Sequence, residues 1–127
     1  MKNKLIILQG PPASGKSTWA KEFVSKNKDH IIVNRDSLRL MFRGQYPKDE
    51  SKLEEVVSSM EIYSIKEAIK NGYNVIIDAT NLNPKTLNKW KTLVNELSVE
   101  IEYKQFYISF FEALERDKKR GEKSGNT

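Results

Sequence analysis

Hydrophobic and polar positions along the chain follow two alternating rhythms. Short β-rich runs stand at Lys4–Gln9, Ile31–Asn34, Tyr73–Asp78 and Val99–Ile108, with stretches of helical spacing between them. The first three are nearly unbroken aliphatics, Leu5-Ile6-Ile7-Leu8, Ile31-Ile32-Val33 and Val75-Ile76-Ile77, as strands covered on both faces require. The fourth is more polar and is expected at a sheet edge. Strands alternating with helices mean an α/β fold, with a central parallel sheet of about four strands flanked by helices.

The longest helix is expected from about Ser51 to Asn71. Ser51 and Glu54 stand at capping-box spacing, and Leu53, Val56, Val57, Met60, Ile65, Ala68 and Ile69 keep the helical period until Gly72 stops it. The next helix starts with Asn83 as N-cap and Pro84 in the first turn, and turns Leu87, Trp90, Leu93, Val94 and Leu97 toward the core. A last helix is expected after Ser109, running into the basic stretch Arg116 to Lys123. No repeat, linker or low-complexity segment interrupts the pattern, and His30 stands alone as a structural residue.

Composition narrows the picture. A length of 127 residues fits one domain, with 38% hydrophobic and 31% charged residues, an ordinary composition for a folded chain. Cysteine is absent, which excludes disulfides, thiolate metal sites and thiol nucleophiles and suits a reducing cytoplasm. The apolar run Leu5 to Leu8 is far too short for a signal-peptide core or a membrane span, so no membrane partner is expected. A formal charge of +5 suits polyanionic partners, although many basic proteins never meet nucleic acid.

The chemistry begins at Gly10-Pro11-Pro12-Ala13-Ser14-Gly15-Lys16-Ser17, which fits G-x-x-x-x-G-K-[ST] at every fixed position. A buried strand leads in and a helix starting near Lys16 leads out, so backbone N–H groups and the positive helix end converge on one point. This is a P-loop. Gly10, Ala13, Ser14, Gly15, Lys16, Ser17 and Thr18 are the expected ATP-binding residues. Lys16 reaches toward the β- and γ-phosphates, and the Ser17 hydroxyl is placed to ligate Mg²⁺.

The second strand ends in Asn34-Arg35-Asp36, just where an open α/β sheet offers its ligand crevice. Asp36 is therefore a candidate base that accepts a proton from an acceptor hydroxyl, or alternatively an N-cap for a helix over 37–43. Arg39 and Arg43 share its helix face and are placed to bind an acceptor phosphate, or to be solvated. Asp78 ends the third strand and either supports the Mg²⁺ shell from outside or only starts a turn. Thr80 and Asn81 either touch substrate or shape the loop. Arg116 and Arg120, four apart in the last helix, either neutralise the transferring phosphate from a mobile lid over residues 110–127 or merely complement the helix dipole.

The ordered combination GPPASGKSTWAKEF, NRDSLR, DATNLNP and ERDKKRG resembles the polynucleotide 5′-hydroxyl kinases of bacteriophages and bacterial end-healing systems, over about residues 4 to 121. The resemblance implies a P-loop kinase fold occupying residues 1–127 as one domain. It implies that Lys16 and Ser17 serve ATP and Mg²⁺, that Asp36 is the general base, and that Arg39 binds the phosphate on the 3′ side of the acceptor nucleoside. Arg116 and Arg120 correspond to lid arginines, with Arg120 toward the phosphate donor. Phage members carry an aspartate immediately before the Thr-Asn pair, whereas here that place is Ala79 and the acid is Asp78, as in bacterial members. The implied substrates are DNA or RNA 5′-hydroxyl ends. Two rivals stand beside this reading: a small-molecule kinase on the same scaffold, and a non-catalytic ATP-binding module of a longer enzyme.

Overall fold

Aliphatic runs without a polar side can be buried only between two layers, and that is how the chain folds. In the computed structural model, which describes residues 3–45 and 50–107, the elements follow as β1 (Lys4–Gln9), α1 (Lys16–Lys26), β2 (His30–Val33), α2 (Arg35–Arg43), α3 (Ser51–Lys70), β3 (Asn74–Ile77), α4 (Pro84–Leu97) and β4 (Glu100–Gln105). The four strands form one sheet in the order β2-β3-β1-β4, parallel throughout. Leu5, Ile6 and Ile7 pair with Val75, Ile76 and Ile77.

Because side chains alternate across a strand, β1 feeds two separate cores. Leu5 and Ile7 join Val75, Ile77, Ile65 of α3 and Trp90 of α4 on one face. Ile6 and Leu8 join Ile76 and Ala20 of α1 on the other, with Trp19, Phe23 and Phe106 packed at the margin. Each fully buried aliphatic stabilises the fold by about 1.5–3 kcal/mol relative to exposure. The polar run β4 lies at the edge, as its composition predicts, with mostly exposed side chains.

Parallel strands place all their carboxyl ends along one rim, and the P-loop, Asp36 and Asp78 follow directly on those ends. Several local expectations change. The capping box of Ser51 and Glu54 does not form: Ser51 is the first helical residue and Glu50 takes the cap position without a side-chain bond. The Glu54 carboxylate instead accepts from Arg39 and Arg35, because bonds from two guanidinium groups hold it more strongly than one backbone N–H. Asn83 caps α4 as expected, accepting from the Lys85 amide at 2.8 Å. The helix expected after Ser109 and the basic tail lie outside the described residues.

One side chain ties the rim together. Asn81, with φ 51 and only 3% exposed, donates from Nδ2 to the Leu8 carbonyl at 2.6 Å and accepts at Oδ1 from the Trp90 indole at 3.0 Å. Its carbonyl accepts from Gln9 Nε2 at 3.2 Å, and the Gly10 amide donates to Thr80 O at 3.1 Å. The loop after β3 is thereby fixed to the start of the P-loop. Asn81→Ala strands the indole N–H and removes the Leu8 donor in a buried place, so it is expected to cost about 2–4 kcal/mol. A denaturant midpoint within error of the wild-type value would refute this.

Candidate active site

The P-loop takes its shape from two left-handed positions and one close approach. Ala13 has φ 64, and Gly15, with φ 92, is the N-cap of α1. A Cβ on Gly10 would lie 2.9 Å from the Phe106 carbonyl and 3.1 Å from Ser14 Oγ, so only glycine lets the loop pass beneath the segment after β4. Ala13 and Ser14 are buried, Ser17 is half-buried and Thr18 is exposed. The first turn of α1 directs N–H groups without helical acceptors out of its start, as any helix does.

Lys16 is 6% exposed. Its ammonium folds back over the loop and donates to the Gly10 carbonyl at 3.0 Å, the Pro11 carbonyl at 2.8 Å and Ser14 Oγ at 3.4 Å. Below it, Ser17 Oγ donates to Asp78 Oδ2 at 2.7 Å. Asn34 Nδ2 donates to the Asp78 carbonyl at 3.1 Å and to Oδ2 at 3.3 Å. Asp78, 5% exposed, thus links the ends of β2 and β3 to the start of α1.

Facing the loop across a cleft of about 170 Å³ stands the first half of α2. The cleft lining draws Lys16 and Ser17 from the start of α1, Asp78 and Thr80 from the stretch after β3, and Asn34, Arg35, Asp36 and Arg39 from the stretch after β2 and the first half of α2. Asn34, not Asp36, caps α2: its Oδ1 accepts from the Ser37 amide at 2.8 Å. The cap position of α2 is thus taken by Asn34, and the Asp36 carboxylate does not cap the helix. Oδ1 accepts from Arg39 Nη1 at 2.6 Å, and Oδ2 has no hydrogen-bond partner among the described residues. Arg43 points elsewhere, to Glu50. Asn81 is absent from the cleft lining and its amide is engaged by Leu8, Ala79 and Trp90, which is the loop-shaping alternative. Arg116 and Arg120 lie outside the described residues.

Five contributors were not legible in local spacing: Asn34, Arg35, Glu54, Glu61 and Lys89. Glu54 grips the side edge of Arg39, with Nε to Oε2 at 2.8 Å and Nη2 to Oε1 at 2.6 Å. Arg35 donates to Glu54 at 3.3 Å, Ser58 at 3.1 Å and the buried Glu61 at 3.0 Å. Lys89 of α4 completes the set, 2.6 Å from Glu61. Hydrogen bonds from Arg39 hold the Glu54 carboxyl well below its usual range, at about 2, against the opposing effect of burial. The same bonds raise the Arg39 guanidinium.

A parallel sheet carrying a P-loop at the end of its inner strand, opposite a second wall of acid and guanidinium, defines a P-loop kinase. The chain belongs to the AAA domain family, whose model matches residues 5–127. It is 32% identical over 132 residues, 94% of its length, to a protein of Autographa californica nuclear polyhedrosis virus named as a bifunctional polynucleotide kinase/RNA ligase. It is 41% identical over 81 residues, 61% of its length, to the L-seryl-tRNA(Sec) kinase of Methanococcus maripaludis. Among solved structures, one from the Pnkp1/Rnl/Hen1 RNA repair complex superposes with a TM-score of 0.87 at 36% identity and covers 99% of this chain. The chain spans 18% and 30% of the two curated relatives and 40% of the solved one. The resemblance to polynucleotide kinases read from the sequence is borne out.

The Glu54 pairing makes a pH prediction. A carboxyl whose folded pKa is about 2, against 4.5 when unpaired, adds stability that is complete above about 4.5 and is lost as pH falls through about 2. Wild-type protein should therefore lose more thermal stability than Glu54→Gln between those limits, as followed by circular dichroism. Parallel curves for the two proteins would contradict it.

Proposed function

We propose that the chain is an ATP-dependent kinase that transfers the γ-phosphate to the 5′-hydroxyl of a DNA or RNA end. The observation that carries this reading is the single cleft with a P-loop on one side and the Asp36–Arg39 pair on the other. A donor phosphate chain needs the first wall, and an acceptor with one hydroxyl and one nearby phosphate needs the second.

In this reading Lys16 leaves its loop carbonyls for the β- and γ-phosphate oxygens. Asp36 orients the acceptor hydroxyl and takes its proton. The acceptor oxygen bonds to the γ-phosphorus while the bond from that phosphorus to the β–γ bridging oxygen breaks, and ADP leaves with the electron pair. Arg39 binds the phosphate on the 3′ side of the acceptor nucleoside. Thr80, which also lines the cleft, is a further acceptor contact.

Magnesium fits the donor set. Ser17 Oγ and the Asp78 carboxylate are hard oxygens 2.7 Å apart, of the kind magnesium takes, directly or through water. Among the described residues no group of three or more His, Cys, Asp or Glu forms a metal site alone, so phosphate oxygens would complete the shell. Bound there, the ion would neutralise charge on the phosphates. Residues 1–127 form a single kinase domain in this reading, with Arg116 and Arg120 as lid arginines and a cytoplasmic setting. No helix among the described residues is long and apolar enough to cross a membrane. The similarity to an L-seryl-tRNA(Sec) kinase favours one second reading, a hydroxyl acceptor carried on tRNA.

The test is label transfer from γ-labelled ATP to 5′-hydroxyl DNA and RNA oligonucleotides, free nucleosides and seryl-tRNA. Oligonucleotides are expected to be the best acceptors, and transfer to seryl-tRNA alone would replace this reading with the second. Lys16→Ala should abolish transfer in a folded protein. Asp36→Asn should lower kcat by about 10²–10⁴ while ATP affinity holds. Near-normal turnover in either variant would remove that residue from the mechanism.

A further inference from the structure

Arginine carries five N–H donors in a rigid planar fork, and at Arg39 the partners of that fork are unevenly arranged. Nε and Nη2 both go to Glu54, and Nη1 goes to Asp36. One N–H on each terminal nitrogen remains, without a partner among the described residues. N–H groups on the two terminal nitrogens of one guanidinium are donors that phosphate oxygens take.

Glu54 itself does not line the cleft, whereas Arg39 does. The carboxylate comes from the first turn of α3, fifteen positions along the chain, and bonds Arg39 through Nε and Nη2. It is braced in turn by Arg35, which is tied to Ser58 and to the fully buried Glu61. The alternating charges Arg39, Glu54, Arg35, Glu61 and Lys89 run from α2 through α3 to α4. An arginine side chain left to itself samples many rotamers, and fixing it at the moment of binding weakens the complex. Here the fixing is done beforehand.

We propose that Glu54 is a positioning residue for acceptor selection: by holding the side edge of Arg39 it presents the two remaining N–H groups to the acceptor phosphate, so that phosphorylated acceptors are favoured over bare hydroxyls. This rests on the acceptor reading of the cleft given above. Glu54 touches no substrate. Asp36, which shares Arg39, keeps one carboxylate oxygen for the hydroxyl while the phosphate is bound. The preference therefore comes from a preset guanidinium and not from an additional contact.

The experiment compares a nucleoside 3′-phosphate with the bare nucleoside as acceptors, by KM, kcat and calorimetric affinity, in wild type, Glu54→Gln, Glu54→Asp, Arg39→Ala and the Glu54→Gln/Arg39→Ala double variant. Glu54→Gln keeps size but breaks the paired bond, and should weaken the phosphorylated acceptor about tenfold, with a much smaller change for the bare nucleoside and for ATP. Glu54→Asp keeps the charge that braces α3, guarding against loss of folding, and should give a smaller shift in the same direction. Glu54→Gln should add nothing once Arg39 is alanine. Equal losses for both acceptors, or a full additional loss in the double variant, would make Glu54 a purely structural residue. If Arg39→Ala is selective and Glu54→Gln is not, this inference fails alone. If Arg39→Ala treats both acceptors alike, the acceptor reading of the cleft falls and takes this inference with it.

Discussion

A single buried carboxylate, Asp78, is the constraint on which the cleft depends. At 5% exposure it would be costly without donors, and it finds two: the Ser17 hydroxyl at 2.7 Å and the Asn34 amide at 3.3 Å. Those donors sit at the start of α1 and just past β2, so satisfying one charge fixes three separate stretches of chain in mutual register. The same Asn34 uses its amide oxygen to cap α2, which sets where Asp36 and Arg39 emerge. The P-loop and the α2 part of the cleft are thereby joined through two side chains.

A second set of charges stiffens α2 from outside the cleft. Glu61 is 1% exposed and shared by Arg35 and Lys89, and a buried acid with two cations is far better compensated than one with none. Its contribution is chiefly geometric: it sets the separation of α2, α3 and α4 through directional bonds, where aliphatic contacts alone would permit sliding. The aliphatic cores do the complementary work of driving the layers together without dictating angles. Stability thus comes mainly from β1 and β3, and the precise placement of the cleft from charged residues around α3.

The sheet was legible because its signal is local. Unbroken runs such as Val75-Ile76-Ile77 specify a covered strand wherever they occur, and the P-loop is one contiguous string whose neighbours repeat the prediction. Asp36 and Arg39 were also legible, since strand end plus helical spacing brings both to one wall. What spacing could not give was the choice between compatible local motifs. Ser51 and Glu54 fit a capping box, yet Arg39 fifteen positions away decides where Glu54 goes. Asp36 fits a cap, yet Asn34 two positions earlier takes it. Asn81 reads as a loop polar residue, and only the arrival of Trp90 from α4 explains its burial. In each case a partner distant in sequence, or an earlier competitor for the same backbone group, outweighed the local pattern.

The bond between Asn81 and Trp90 has an optical consequence. The chain holds two tryptophans in unlike surroundings. Trp19 lies half-buried, in aromatic contact with Phe23 and Phe106, while Trp90 is 1% exposed, bonded to the loop and overlain by the Lys89 ammonium 4.6 Å from its ring centre. An indole's emission colour follows the polarity and charge around it, so a shift of the loop bearing Asp78 and Thr80, or of the Lys89–Glu61 pair, acts on the surroundings of Trp90. The molecule carries its own fluorescent gauge of cleft geometry, with no dye attached.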